Sequence, residues 1–202
     1  MLVDTPGFSD TVRSDTEILG LLVDWMRESY GERQLSGLIY LHDISGARMT
    51  GSILTNLRMF RRLCGDDNLR NVILATTKWE ITPKNDAILR ERDLCSDQGF
   101  WDLMIKHGSM VRRFANTEAS ARSLVEELLR TGSDRFTPKI QREVVEEGKS
   151  LLQTDAGAFI EEALARQARV HKEEMKSLME EQERALKKRT ETGFSSLPCS
   201  EC

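Results

Sequence analysis

Residues 71–80 read Asn-Val-Ile-Leu-Ala-Thr-Thr-Lys-Trp-Glu. A short apolar run containing β-branched residues is followed at once by polar and charged ones. Such a run is typical of a strand buried on both faces, and strands of this kind occur in parallel sheets covered by helices. This stretch therefore predicts an α/β fold with a polar loop at the carboxyl end of a buried strand.

The flanking sequence alternates further strands with amphipathic helices. Strands are predicted at residues 35–41 and 109–115. Helices are predicted at residues 14–30, 52–63, 86–94, 100–106 and 117–130. Strands separated by helices of about 10–15 residues indicate βαβ crossovers and a parallel sheet with helices on both faces. The predicted fold class is therefore α/β, with three layers in αβα order.

The chain opens on residues 1–3, Met-Leu-Val, which are typical of the tail of an apolar strand. We expect either a short edge strand or a sheet that begins upstream of these residues. In parallel sheets, ligand-binding loops lie at the carboxyl ends of the strands. The candidate site loops therefore begin at Asp4, His42, Thr77 and Asn116.

Residues 139–189 form a different region, without proline and rich in Glu, Lys, Arg and Gln. Apolar residues recur there at helical spacing, which predicts a long helix. The apolar stripe lapses around residues 169–174, so a dimeric coiled coil, a helix folded back on the domain and a single solvated helix all stay open. We divide the chain into residues 1–132, a partial α/β domain, residues 133–189, a helical extension, and residues 190–202, a polar tail expected to be disordered.

The composition limits the classes of partner. The formal net charge is −4 and charged residues make up 31% of the chain. No global basic field therefore argues for nucleic acid or acidic lipid. No apolar run is long enough for a transmembrane segment. The four cysteines follow no secretory signal, so we expect a reducing, cytoplasmic location rather than a disulfide framework.

The tetrapeptide Asp4-Thr5-Pro6-Gly7 directly follows the first apolar segment. A phosphate-sensing switch needs a carboxylate at a strand end that holds Mg²⁺ through water. It also needs a residue whose backbone N–H approaches a terminal phosphate closely, which glycine leaves unobstructed. Asp4 and Gly7 stand at the interval that such a switch requires. By itself, the tetrapeptide favours an ordinary turn.

A second motif, Thr77-Lys78-Trp79-Glu80, follows the buried strand. Guanine presents a ring N–H and an amino group as neighbouring donors, and one carboxylate can accept both. A lysine nearby can lie along the base and brace the loop. Asn116 follows the third predicted strand, where a loop can support the base through backbone N–H groups. An exposed charged turn and a helix cap at Asn116 or Thr117 are the ordinary alternatives.

These motifs, in this order, resemble a known family. Residues 2–130 look like the second half of the G domain of translation-factor-class P-loop GTPases, a resemblance covering roughly two-thirds of the chain. Residues 77–80 are similar to the guanine-recognition motif Asn/Thr-Lys-x-Asp, with Glu in the last position. Residues 4–8 resemble the septin and immunity-associated (GIMAP-like) branch, and residues 37–42 with 48–51 resemble uncharacterised fungal G-domain proteins.

The resemblance implies a P-loop NTPase-type fold and a guanine-nucleotide-binding switch that uses Mg²⁺ with GTP or GDP. The residues implied to contact the nucleotide are Asp4, Thr5, Pro6, Gly7, Thr77, Lys78, Glu80 and Asn116. Among them, Asp4 would hold Mg²⁺ through water, Gly7 would sense the γ-phosphate and Glu80 would read guanine. A homodimer could form through the G-domain face or through the C-terminal helix.

The sequence departs from this family in its phosphate-binding parts. It contains no Gly-x-x-x-x-Gly-Lys-Ser/Thr loop and no switch I, so the amide cradle and the lysine for the β- and γ-phosphates are missing. Phe8 stands where Ras-like proteins carry a water-orienting Gln, so we assign no catalytic residue. We expect these 202 residues to bind nucleotide poorly. A second hypothesis is a non-catalytic interaction module, in which the long helix pairs with another helix.

Other polar and aromatic residues are interpreted without a ligand. His42 and Arg48 could face a nucleotide or a partner, with a loop hydrogen bond and a surface salt bridge as the alternatives. His107 and His171 have no companions at metal-ligand spacing. Residues 199–202 form a Cys-x-x-Cys and a terminal cysteine box, but Ser and Glu in its middle argue against prenylation. The tryptophans interpreted as packing residues are Trp25, Trp79 and Trp101.

Overall fold

A computed structural model describes residues 1–8, 13–31, 35–46, 49–96, 100–131 and 136–194, with the backbone alone for residues 186–194. The chain divides into two compact units, Met1–Glu161 and Glu162–Cys202. Residues 195–202 lie outside the described residues. They include most of the tail predicted to be disordered, residues 190–202, and the cysteine pair at 199–202. Arg48 lies outside the described residues as well.

The order of helices and strands in the first unit follows the predicted alternation. The strands are β1 (Leu38–Asp43), β2 (Val72–Thr77) and β3 (Met110–Arg113). The helices are α1 (Asp15–Ser29), α2 (Gly51–Cys64), α3 (Lys84–Cys95), α4 (Asp102–Lys106), α5 (Glu118–Thr131), α6 (Lys139–Gln141) and α7 (Asp155–Phe194). A 3₁₀ turn, Asp66–Asn71, leads from α2 into β2.

The three strands form one parallel sheet in the order β1-β2-β3. In this register Leu38 lies opposite Val72 and Asp43 opposite Thr77, so β1 and β2 begin and end level. The predicted α/β class with a parallel sheet is confirmed. β1 and β3 are the edge strands of the described sheet.

Alternate side chains of β2 enter two separate apolar cores, as the two-residue period of a strand requires. Val72 and Leu74 belong to a large core shared with α1, α2, α3, α4, α6 and the start of α7. Ile73 and Ala75 belong to a small core that α5 covers with two leucines, Leu124 and Leu128. Helices therefore lie on both faces of the sheet, in three layers.

The first helix begins and ends at residues with the expected local chemistry. Ser14 and Glu17 form a reciprocal capping box, in which the Ser14 amide donates to the Glu17 carboxylate at 2.8 Å and the Glu17 amide donates to the Ser14 hydroxyl at 3.3 Å. Gly31, with φ of +84°, follows its last turn. The apolar face of α1 packs into the large core.

Two predicted strands differ in the structure. Residues 1–3 form no strand, and Met1 and Leu2 are 86% and 76% exposed. Among the described residues no strand pairs with this segment, and an extended segment outside a sheet gains no ladder of strand hydrogen bonds. β1 begins at Leu38 and not at residue 35. Leu35 forms a single antiparallel bridge with Phe136 and does not pair with β2.

The long C-terminal helix is present, but it begins at Asp155 and not at residue 139. Gly148 adopts φ of +66°, which ends the short helical segment Lys139–Glu146. A Cβ on Gly157 would lie 2.0 Å from the carbonyl oxygen of Leu151, so the tight turn before α7 requires glycine there. The two glycines that sequence reasoning placed inside a continuous helix therefore mark its interruption and its new start.

Every helix among the described residues lacks the combination of length and apolar character that would let it cross a bilayer.

We predict that Gly37→Ala destabilises the first unit. Gly37 precedes β1, and a Cβ there would lie 2.3 Å from the Asn71 carbonyl oxygen and 2.7 Å from Leu128 Cδ1. The expected loss is about 1–3 kcal/mol in the free energy of unfolding, measured by urea titration. Gly46→Ala is the matched control, because a Cβ on Gly46 would meet nothing within 4 Å. Equal unfolding midpoints for the two variants would contradict the close approach of Asn71 and Leu128 to residue 37.

Candidate functional site

The carboxyl ends of the strands meet at one edge of the sheet. Asp43 and Thr77 are register partners, and the Ile44 amide donates to the Thr77 carbonyl oxygen at 3.2 Å. The Phe114 amide donates to the Thr76 carbonyl oxygen at 2.8 Å, which holds the end of β3 against β2. The loops that follow β1, β2 and β3 therefore start side by side, as expected for a shared site.

Lys78, directly after β2, is tied to the end of β1. Its Nζ donates to Asp43 Oδ2 at 2.6 Å. Asp43 Oδ1 accepts from the amide and the hydroxyl of Ser45, at 2.8 Å and 2.6 Å. Partial burial raises the pKa of Asp43, but the hydrogen bonds from Lys78 and Ser45 outweigh it and hold that pKa below its usual value. Asp43 therefore stays ionised and fixes the lysine.

Two residues of this edge adopt the left-handed backbone conformation without being glycine. Lys78 has φ of +61° and Asn116 has φ of +53°. Asparagine tolerates this region, whereas lysine adopts it rarely. The Ser120 hydroxyl accepts from the amides of Ala115 and Thr117, at 3.2 Å and 3.3 Å, and so holds the second loop. Such backbone strain concentrates at functional sites.

The capping alternative falls on the residue after Asn116. The amide of Ser120 donates to the Thr117 hydroxyl at 3.2 Å, so Thr117 caps α5. Asn116 is exposed and lies one residue before this cap. The side chain of Asn116 is therefore not needed to start the helix.

A network that sequence reasoning missed supports the Lys78 loop from beneath. Trp79 Nε1 donates to the Thr76 hydroxyl at 2.9 Å, and that hydroxyl donates to Glu91 Oε1 at 3.1 Å. The Arg113 guanidinium lies 4.1 Å from the centre of the Trp79 ring and donates from Nε to Glu91 Oε2 at 2.8 Å. Glu91 is on α3 and Arg113 ends β3, so only the fold brings the network together.

Glu80, the predicted guanine-reading carboxylate, is exposed beside this network. The hydrogen bond that Lys78 donates to Asp43 raises the pKa of Lys78, and the charge of Glu80 adds to the effect. Lys78 and Glu80 are therefore close enough for their charges to interact. The structure thus places Lys78, Glu80 and Asn116 at the same edge of the sheet.

The other predicted residues, Asp4 to Gly7, line a separate cavity of about 820 Å³. It lies between residues 2–8, β1, the start of α2 and one side of α5, and Asp43 also lines it. A Cβ on Gly7 would meet nothing within 4 Å, and Gly7 has no left-handed φ. Neither packing nor conformation explains glycine at this position. Phe8 packs against the large core.

This cavity does not fit a magnesium-bound triphosphate. None of its lining residues is Lys or Arg, and its ionisable carboxylates, Asp4 and Asp43, have the wrong charge for phosphate. Much of the remaining lining is apolar, including Tyr40, Leu41 and Phe114. Among the described residues, no group of three or more His, Cys, Asp or Glu side chains is arranged to hold a metal ion. The cavity lined by the predicted phosphate-binding residues, Asp4 to Gly7, therefore lacks the cations that phosphate needs.

His42 lies at the rim of the same cavity, near the end of β1. Burial lowers its pKa, and its ring meets the Trp101 ring edge-on, with the centroids 5.6 Å apart. Trp101 is fully buried, and Trp25 and Trp79 pack against the large core. The interpretation of all three tryptophans as packing residues is confirmed, and His42 joins that packing rather than a cluster of ligands.

Neither a protein-family model nor a curated protein matches this chain.

We predict that Glu91→Ala weakens the loop after β2. The change leaves the Thr76 hydroxyl with only its longer bond, to the Arg112 carbonyl oxygen at 3.4 Å, and the Arg113 guanidinium without its carboxylate. Because Arg113 is half exposed, the expected loss in the free energy of unfolding is only about 1–2 kcal/mol. Tryptophan fluorescence should change as well, since the Trp79 ring loses its ordered cation.

The matched control is Asp93→Ala, on the same helix, whose side chain is 73% exposed. We expect a change within about 0.5 kcal/mol for this variant. Equal effects of the two substitutions in urea titrations would show that Glu91 does not anchor the network.

Proposed function

We propose that this chain is the base-recognition half of a guanine-nucleotide-binding switch domain of the P-loop GTPase kind. The observation that carries the proposal is the ion pair between Lys78 and Asp43, which joins the carboxyl ends of β1 and β2. It holds a strained lysine two residues before an exposed carboxylate, Glu80, beside a second strained loop at Asn116. The order of the parallel strands and of the three loops agrees with this reading.

The proposed chemistry follows from the hydrogen-bonding groups of guanine. Its ring N–H and its amino group point the same way, so the Glu80 carboxylate can accept both. The Lys78 side chain, fixed at its tip by Asp43, can lay its methylene groups along the base. The loop at Asn116 would close the pocket from the other side, as the family resemblance implies.

The phosphates contribute little in this proposal. The 202 residues contain no P-loop, and the cavity lined by Asp4 and Gly7 carries no cation. Asp4 and Gly7 would act only together with a phosphate-binding loop, which would supply the amides and the lysine. We therefore propose weak, base-specific binding and no hydrolysis by these residues alone.

Replacing Glu80 should invert base preference. Xanthine has a carbonyl oxygen where guanine has its amino group, so the amide of Glu80→Gln can accept from the ring N–H and donate to that oxygen. We expect the wild-type chain to bind GMP with a Kd on the order of 1 mM. Glu80→Gln should lose about tenfold for GMP and gain about tenfold for xanthosine monophosphate, measured by NMR titration of the full chain.

The matched control is Glu28→Gln, an exposed carboxylate on α1. It should leave both affinities unchanged. Equal binding of AMP and GMP by the wild-type chain would overturn the proposed function. Micromolar binding of GTP with Mg²⁺ would overturn the conclusion that the phosphate half is unformed.

The second unit supports a second candidate function, self-association through α7. Leu164, Met175, Leu178 and Met179 on this helix are between 43% and 63% exposed. At alternating steps of four and three residues from Leu164, the positions are Leu164, Ala168, His171, Met175, Leu178, Gln182 and Ala185. Five of these seven are apolar, which favours the seam of a two-stranded coiled coil.

Leu178→Glu should therefore separate a dimer into monomers. Leu178 lies on the seam, and two glutamates facing each other there would be desolvated. We expect sedimentation equilibrium to give a dimer for the full wild-type chain and a monomer for the variant. Val170→Glu is the matched control, because Val170 is 49% exposed but lies off the seam. A monomeric wild-type chain, or loss of the dimer in both variants, would rule out this interface.

A further inference from the structure

A basic cleft lies in the first unit, away from the nucleotide loops. The second half of α2, the segment after Pro138 and the start of α7 enclose about 630 Å³. Eight of its ten lining residues are charged. The cations are Arg58, Arg61, Arg62, Lys139 and Arg142. The three acidic residues of the lining leave it with a net charge of +2, in a chain whose formal net charge is −4.

The ion pairs of the cleft use only some of these cations. Arg61 donates to both carboxylate oxygens of Asp66, from Nε at 2.8 Å and from Nη2 at 2.7 Å. Asp155 is shared by Arg62 and Lys139, the latter at 2.6 Å. Asp66 thus neutralises Arg61, whereas the single charge of Asp155 is shared by two cations and leaves part of their charge uncancelled.

Two arginines of the cleft are available to a ligand. Arg58 and Arg142 are exposed, and the guanidinium of neither forms an ion pair or hydrogen bond with another described residue. Arg142 lies near Glu147, whose pKa is lowered first by the hydrogen bond from Lys149 and more weakly by the charge of Arg142. A guanidinium offers several donors in a plane, which suits the oxygens of phosphate.

The walls of the cleft are fixed by packing. A Cβ on Gly65 would lie 2.8 Å from Lys139 Cβ, so glycine lets α6 approach the end of α2 closely. The Arg62 guanidinium lies 4.8 Å from the centre of the Phe159 ring, which orders it between α2 and α7. Preorganised cations lose little entropy when a ligand binds, which favours a defined site over a diffuse basic surface.

We propose that this cleft binds a compact anion with several phosphate groups, such as an inositol polyphosphate, free or as a lipid headgroup. A ligand with one charge would gain little against three resident carboxylates, whereas clustered phosphates can engage Arg58, Arg142 and the partly neutralised Lys139 together. The enclosed volume is within the range of small-molecule sites. Helix α2 runs from the carboxyl end of β1 back to the amino end of β2. The cleft therefore lies toward the amino ends of the strands, away from Lys78, and this proposal does not depend on nucleotide binding.

The test is calorimetry of the full chain with inositol hexakisphosphate at physiological salt. We expect the wild-type chain to bind with a Kd on the order of micromolar. Arg58→Ala/Arg142→Ala should weaken binding at least about tenfold, because each lost guanidinium removes charge-assisted hydrogen bonds to phosphate. This variant strands no carboxylate, so its urea unfolding midpoint should match that of the wild-type chain. Arg58→Gln/Arg142→Gln provides a second variant with longer side chains.

The matched control is Arg92→Ala/Arg122→Ala, which removes two exposed positive charges outside the cleft. It should change the affinity by less than about twofold, since distant charges are screened. Co-sedimentation with phosphatidylcholine vesicles containing phosphatidylinositol 4,5-bisphosphate distinguishes a lipid headgroup from a soluble ligand, and loss of either kind of binding in the cleft variants alone supports the site. Absence of binding to both probes, or equal losses in cleft and control variants, would overturn it.

Discussion

The burial of β2 on both faces is the constraint on which the rest of the first unit depends. Its residues from Val72 to Thr76 are completely buried, so the strand must have helices on each side and a strand along each edge. A shift of one residue would exchange the two sets of side chains between cores of different size, and the register is therefore fixed. Fixed register in turn makes β1 and β2 end level, which is why Asp43 can reach Lys78.

The carboxyl ends of the strands and the basic cleft differ in their balance of charges. At the carboxyl edge, Asp43 holds Lys78 and Glu91 holds Arg113, and these acids fix loop geometry. In the cleft, cations outnumber acids and two arginines are left over. Under our proposals, the first arrangement orients a neutral base by hydrogen bonds, whereas the second attracts negative charge. The charge of the whole chain, −4, reveals neither.

The sequence predicted the strand β2 and the class of fold well, because a buried strand has a local signature. It also predicted helix α1 to within one residue at each end and the polar loops at Lys78 and Asn116. It did not predict the left-handed backbone of Lys78, the Glu91 and Arg113 pair, or the basic cleft, because each depends on residues far apart in the chain. The start of α7 was misplaced for a different reason. A single glycine lowers helix propensity by only about 1 kcal/mol, so the pattern does not reveal that Gly148 ends one helical segment or that Gly157 fits the tight turn at the start of α7.

The outer edge of β1 has a consequence for the behaviour of the chain in concentrated solution. In the described sheet β1 pairs only with β2, so its other side presents a row of free amide and carbonyl groups, with Leu41 61% exposed among them. Natural sheets protect such edges with charge, proline or a covering helix, and the charge on β1 comes only at its last residue, Asp43. An edge of this kind is one on which a strand of another molecule can add, so we expect aggregation to begin at this strand whatever the net charge of the surface.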